Sequence, residues 1–287
     1  MVTTLIPVRT ATERPVGRRF PTKKLLGLIP LAVLVVVAVV GPLVVPFDPT
    51  KVAGAAYLPP GAEHWFGTDS AGLDVYSRTI AATGLNVFIG VMVALLATAI
   101  GIVIGVVLGL NEPASGFRGM AARGLSRAVD LLQSVPAILV GVVAVAFYGA
   151  EVASITIAVA VILAPIQIRL VRTETLRVRS EGYVDAARIA GAIGPEVAVR
   201  HVLPNSLGPA LQNSSVIFGL AVIVTAGLGF IGVGLAPPTA EWGAMLSRGA
   251  ADALVGNWWA AAFPATALAL TVATVAWTMR VLTTPSE

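Results

Sequence analysis

The stretch Glu181–Asn205, EGYVDAARIAGAIGPEVAVRHVLPN, is a charged, polar segment between two long apolar runs, and it decides how the chain is read. As a helix, its first half sorts into faces. Glu181, Asp185 and Arg188 fall at i, i+4 and i+7 on one side, while Tyr183, Ala186, Ala187 and Ala190 gather on the other. Gly191 and Gly194 interrupt that helix. Pro195 suits the first turn of a second helix, with Glu196 beside it where the helix dipole favours a negative charge. Arg200 stands four residues beyond Glu196, within reach of an ion pair, and Pro204 is expected to end the segment. The predicted shape is helix, glycine break, helix: a short knob with a small-residue face that a groove on another protein can grip. The plainer alternative is a solvated loop joining two membrane helices.

Outward from the knob, the composition places the chain in lipid. Its 287 residues are 56% hydrophobic and 12% charged, with a mean hydropathy of +0.88, whereas a soluble domain carries about 25% charge. Six apolar runs, at about 25–47, 85–110, 128–147, 152–170, 207–235 and 258–282, each reach the roughly 20 residues needed to cross about 30 Å of hydrocarbon. The expectation is an all-α integral membrane protein with six transmembrane helices over 25–282, a 1–24 tail, a loop at 181–205 and a short tail at 283–287. A cleaved signal peptide is the alternative for the first run. That run is longer than the roughly 7–15 apolar residues of a signal core, and a long basic segment precedes it, so an uncleaved span is expected.

The net charge of +4 does not mark a nucleic-acid binder, because the basic residues sit in loops between apolar runs. Sixteen of the 19 Lys and Arg residues fall in the N-terminus, the 111–127 loop, the 169–205 loop and the C-terminal end; three fall in the opposite loops. The positive-inside rule therefore puts both termini and the knob in the cytoplasm. Trp65, Trp242, Trp258, Trp259 and Trp277 lie at or beside predicted span edges, as interfacial anchors do. Gly101, Gly105 and Gly109, at four-residue intervals, predict close approach of a neighbouring helix. The short link after Phe147 predicts an antiparallel third and fourth span. Residues 48–80 read as a loop leading into an interfacial helix.

The knob resembles the EAA loop of permease subunits in binding-protein-dependent ABC importers. The resemblance lies in Asp185-Ala186-Ala187, then Gly191, then His201-Val202-Leu203-Pro204-Asn205 ten residues beyond that glycine. Asp185 stands where the family usually has Glu. Two further stretches, HWFGTDSAGLDVYSR at His64–Arg78 and PPTAEWGAML at Pro237–Leu246, look like segments of the peptide and nickel class of these permeases. Leu73 stands where that class commonly has Arg, and the chain ends in MRVLTTPSE instead of the family's acidic and basic tail.

The resemblance implies a type I importer permease fold in a bacterial cell membrane, with the 181–205 loop as the coupling element. Tyr183, Val184, Asp185, Ala186, Ala187, Gly191, Ile193, Gly194, Pro195, Glu196, His201 and Pro204 would meet a cytoplasmic ATPase. The implied partners are a second homologous permease, two ATPase subunits or domains carrying ATP and Mg, and an extracytoplasmic solute-binding protein. The implied cargo is a di- or oligopeptide, with nickel or another small solute as the close variant.

Missing chemistry narrows the alternatives. There is no GxxxxGK[ST] phosphate cradle, so the chain has no ATP site of the usual kind and needs no cofactor of its own. There are no cysteines, and His64 and His201 have no second His or carboxylate at ligand spacing, so neither a catalytic centre nor a metal site is expected. No charged residue lies near the middle of a span. Asp130 is the nearest, which disfavours a proton-coupled carrier. Gln133, Ser134, Gln212, Asn213 and Ser215 are candidates to face a translocation path, with interhelical hydrogen bonding as their alternative role. Pro136 and Pro165 are candidate bending points. A membrane enzyme or a carrier acting without an ATPase remains the reading from a different class.

Overall fold

The computed structural model describes residues 26–283. The expected 1–24 tail and the last four residues lie outside the described residues. What is described is helical, with no strand among these residues. Ten helices follow in order: α1 (Ile29–Val44), α2 (Val75–Asn111), α3 (Gly116–Leu132), α4 (Ala137–Tyr148), α5 (Val152–Arg179), α6 (Gly182–Ile189), α7 (Gly194–Val197), α8 (Leu203–Phe230), α9 (Trp242–Leu254) and α10 (Trp259–Thr283). Among the described residues four continuous helices are long and apolar enough to cross a membrane: α2, α5, α10 and the run Gly194–Phe230. Taken as one bent span, α3 and α4 make a fifth, and α1 is a shorter apolar helix of 16 residues.

The long helices start where the sequence supplies caps. Asp74 Oδ2 accepts the Ser77 N–H at 2.7 Å and opens α2. That helix, about 55 Å long at 1.5 Å per residue, starts ten residues before the expected span. The expected interfacial helix within His64–Arg78 is therefore not a separate element; its last residues form the first turn of α2. At the opposite end Arg177 and Arg179 sit in the last turn of α5, where the dipole favours cations.

α2, α5 and α8 pack around the core, which includes Ile89, Val93, Ala97, Ile155, Val159, Ile217 and Ala221. The backbone of Gly101, Gly105 and Gly109 lies against Gln167, Val171 and Thr175 of α5. A Cβ on Gly105 would stand 2.7 Å from Val171 Cβ, so these positions admit no side chain.

Three further expectations are corrected. The third span is not one helix over 128–147: α3 begins at Gly116, inside the expected 111–127 loop, and meets α4 at 93° across Gln133–Pro136. Pro136 has no N–H to continue the ladder and pushes Val135 out of helical geometry. Pro204 does not end the hairpin segment. It lies in the first turn of α8, and a π turn at Ala198–Val202 carries the helix through it. Trp242 is not an interfacial anchor: it is fully buried, and its Nε1–H donates to the Thr79 carbonyl at 3.2 Å.

Candidate functional site

The 181–205 segment folds as α6, a break, and α7 running on into α8. Gly191 supplies the break with φ +93°, and the Ala192 N–H donates back to the Ala187 carbonyl at 3.0 Å, closing the end of α6. Gly194 is not a second break; it opens α7 with Pro195 in the first turn. Four valines fasten the hairpin to the bundle: Val184 of α6, Val197, Val202 and Val178 of α5 are buried together, with Leu110 and Ala192 against them. Sequence reading placed Val184 among the docking residues, but it faces inward.

The outer surface carries exposed apolar side chains, large ones beside the expected alanines. Ile189 is 89% exposed and Ile193 67% exposed, flanking the glycine break; Tyr183, Ala186, Ala190 and Val199 are exposed with them. Asp185, Gly191, Gly194, Pro195 and Pro204 are also exposed, and Ala187, Glu196 and His201 are half-buried. Arg200 pairs with Glu196 at 2.7 Å, as the four-residue spacing predicted. The side chain of Arg188, expected beside Glu181 and Asp185, lies outside the described residues. Large apolar side chains on a projecting polar hairpin are a recognition surface in form.

The candidate path residues separate. Asn213 turns into the bundle, where its Nδ2 donates to Gln167 Oε1 at 3.1 Å. Gln167 is 0% exposed. It also donates to Thr98 Oγ1 at 2.8 Å and to the Ala210 carbonyl at 3.1 Å, so one amide ties α2, α5 and α8. Ser215 bonds back to the Gln212 carbonyl within its own helix, and Gln212 is exposed. Gln133 and Ser134 line a mostly apolar cavity of about 320 Å³ at the α3–α4 break, together with Pro136, Val140, Ile162 and Pro165. Gln167 was missed in the sequence; its only signal was a lone amide inside an apolar run.

At the other end of the bundle the loops bury charge. His64 Nδ1 lies 2.9 Å from Asp74 Oδ1, a pair the fold makes across ten residues despite the absence of ligand spacing. Among the described residues no group of three His, Cys, Asp or Glu is placed to hold a metal. Arg78, 1% exposed, donates to the carbonyls of Pro49, Pro238 and Thr239. Glu241 Oε1 and Oε2 accept the N–H groups of Gly243 and Ala244, and burial pushes its carboxyl above the ordinary range.

A family model described as the binding-protein-dependent transport system inner membrane component matches residues 101–284. The chain belongs to this family. As a permease it has well-covered relatives. One from Brucella suis, designated a peptide transport system permease protein, is 34% identical over 246 residues, 85% of this chain and 80% of that one. The probable D,D-dipeptide transport system permease DdpC of Escherichia coli K12 is 33% identical over 242 residues, 84% of this chain and 79% of the other. The glutathione transport system permease GsiD of Escherichia coli O6:K15:H31 is 35% identical over 241 residues, 83% and 77% of the two chains. The permease therefore sits in the peptide class of ABC importers, a family of transport subunits rather than enzymes.

Proposed function

We propose that this permease forms half of the translocation path of an ATP-driven importer of di- or oligopeptides, and that α6 and α7 dock in a cleft of a cytoplasmic ATPase. ATP and Mg belong to the ATPase subunits. A second homologous permease completes the path, and a solute-binding protein delivers cargo to the opposite face. Both termini and the hairpin face the cytoplasm, in accord with the distribution of Lys and Arg. The observation that carries the docking reading is the pair Ile189 and Ile193, exposed on either side of Gly191 while Val184 anchors the hairpin from within. The names of the relatives support a peptide cargo, with another small solute as the variant within the same architecture.

The test is to replace Ile189 and Ile193 by Asp and purify the permease from the membrane. The ATPase is expected to be lost while the permease remains inserted. Undiminished co-purification together with solute-stimulated hydrolysis would sink the docking assignment.

A further inference from the structure

At the end of the bundle opposite the hairpin, positive charge is buried without a matching negative one. Arg78, in the first turn of α2, is 1% exposed. Its Nη atoms donate to carbonyls, but its Nε–H is buried with no partner. Arg248 of α9 is half-buried, and among the described residues its guanidinium makes neither a hydrogen bond nor an ion pair. Both arginines line one cavity of about 10 Å³, with Asp69 of the loop, Gly249 of α9 and Ala260 of α10 among the other walls. Asp69 is the single acid on that wall, and its Oδ1 is already engaged by the N–H groups of Ala71 and Leu73 at 2.9 Å each. Ala260 is buried in the first turn of α10, a 25-residue helix whose leading N–H groups have no partner within the helix.

We propose that this cavity is a halide site, in which a chloride ion accepts the Arg78 Nε–H and balances Arg78 and Arg248. A buried cation without a counter-charge is costly, and a buried N–H without an acceptor adds to the cost. The leading end of α10 contributes further positive potential, as helix N-termini do at anion sites. Size then selects the ligand. A cavity of about 10 Å³ admits one water-sized atom, so sulfate, phosphate and carboxylates do not fit. A water would supply the missing acceptor but leave two guanidiniums against one carboxylate; a chloride supplies both acceptor and charge. The ion would touch the loop, α2, α9 and α10 at once, and so fasten four segments that are distant in sequence.

The test uses the full chain purified in detergent, with sodium chloride or bromide replacing sodium gluconate at constant ionic strength. The thermal unfolding midpoint should rise saturably with either halide, by about 3–6 °C at ten times the dissociation constant. Arg248→Gln should unfold near the native midpoint in gluconate and lose most of the rise. Arg200→Gln, an exposed position at the hairpin end, should keep all of it. Bromide-soaked crystals of the native chain should give an anomalous peak within hydrogen-bond distance of Arg78 Nε, and this measurement decides the matter if Arg248→Gln does not fold. Equal native midpoints in gluconate and chloride overturn the halide site, and the cavity then holds water. A halide rise that survives intact in Arg248→Gln overturns it as well, because the ion then binds elsewhere. So does a bromide-soaked crystal with no peak at Arg78.

Discussion

The two ends of the bundle hold their charges in opposite ways. At the loop end His64, Asp69, Asp74, Arg78, Glu241 and Asp252 are buried. Apart from the His64–Asp74 contact, their hydrogen bonds run mainly to backbone: Asp69 to the N–H of Ala71 and Leu73, Asp252 to that of Ser70, and Arg78 to three carbonyls. At the hairpin end the charges pair with one another near the surface, as Arg169 with Asp130, Arg177 with Glu174 and Glu181, and Arg200 with Glu196. A buried charge bonded to backbone has one geometry, because leaving it exposes an unsatisfied group in a dry interior. Surface ion pairs rearrange at little cost. The difference makes the loop end a fixed plug and leaves the surface pairs of the hairpin end free to exchange.

The sharpest way to break this contrast is Arg78→Met. The half-buried carbonyls of Pro49 and Thr239 and the exposed carbonyl of Pro238 would lose their donor, at about 1–3 kcal/mol for each group that water does not reach, so a drop in the thermal unfolding midpoint of the detergent-solubilised protein is expected. An unchanged midpoint would mean that the plug is held by something else. Next is Gly105→Leu, which forces a side chain into Val171 and the α5 backbone and should cost about 1–3 kcal/mol. Gly124→Leu, at a glycine facing open space, should be nearly neutral in the same assay.

Glu241→Gln tests the plug through pH. The Glu241 carboxyl is raised in the folded protein above its ordinary value of 4.5. Its contribution to stability is therefore full below 4.5 and lost as pH rises through the higher folded value. Unfolding midpoints followed from pH 4.5 upward should fall less steeply for Glu241→Gln than for the native chain; equal slopes would contradict the assignment. Arg200→Ala, at the hairpin end, should change stability by only about 0.3–0.5 kcal/mol, as for other exposed pairs four residues apart on a helix. A much larger loss would show that the surface pairs are less exchangeable than their exposure indicates.

The sequence was most informative where a short-range rule was enough. Apolar runs gave the long helices, four-residue glycine spacing gave a close helix contact on α2 without naming its partner, and Gly191 with Pro195 gave the knob. It failed where the backbone path depended on distant packing. Pro136 marked a bend, but neither the angle nor the helix hidden in the 111–127 loop follows from composition. Pro204 looked like a stop because the π turn that accommodates it has no local signature. His64 and Asp74 meet only once Phe47 and the 45–74 loop have folded around them. Gln167 needed Thr98 and Asn213, each more than 40 residues away in sequence, before it could be recognised as a junction.

The widened turn at Ala198–Val202 has a consequence for how the knob is aimed. Each residue in a helix advances the direction of everything before it by about 100°. The π turn takes up one residue more than an α turn, so deleting one there lets ordinary winding resume and leaves Ile193 and its neighbours nearly on their present bearing, whereas a deletion in the regular part of α8 would swing them roughly a quarter-turn about its axis. The widened turn is thus the place where the chain can change length without re-aiming the knob.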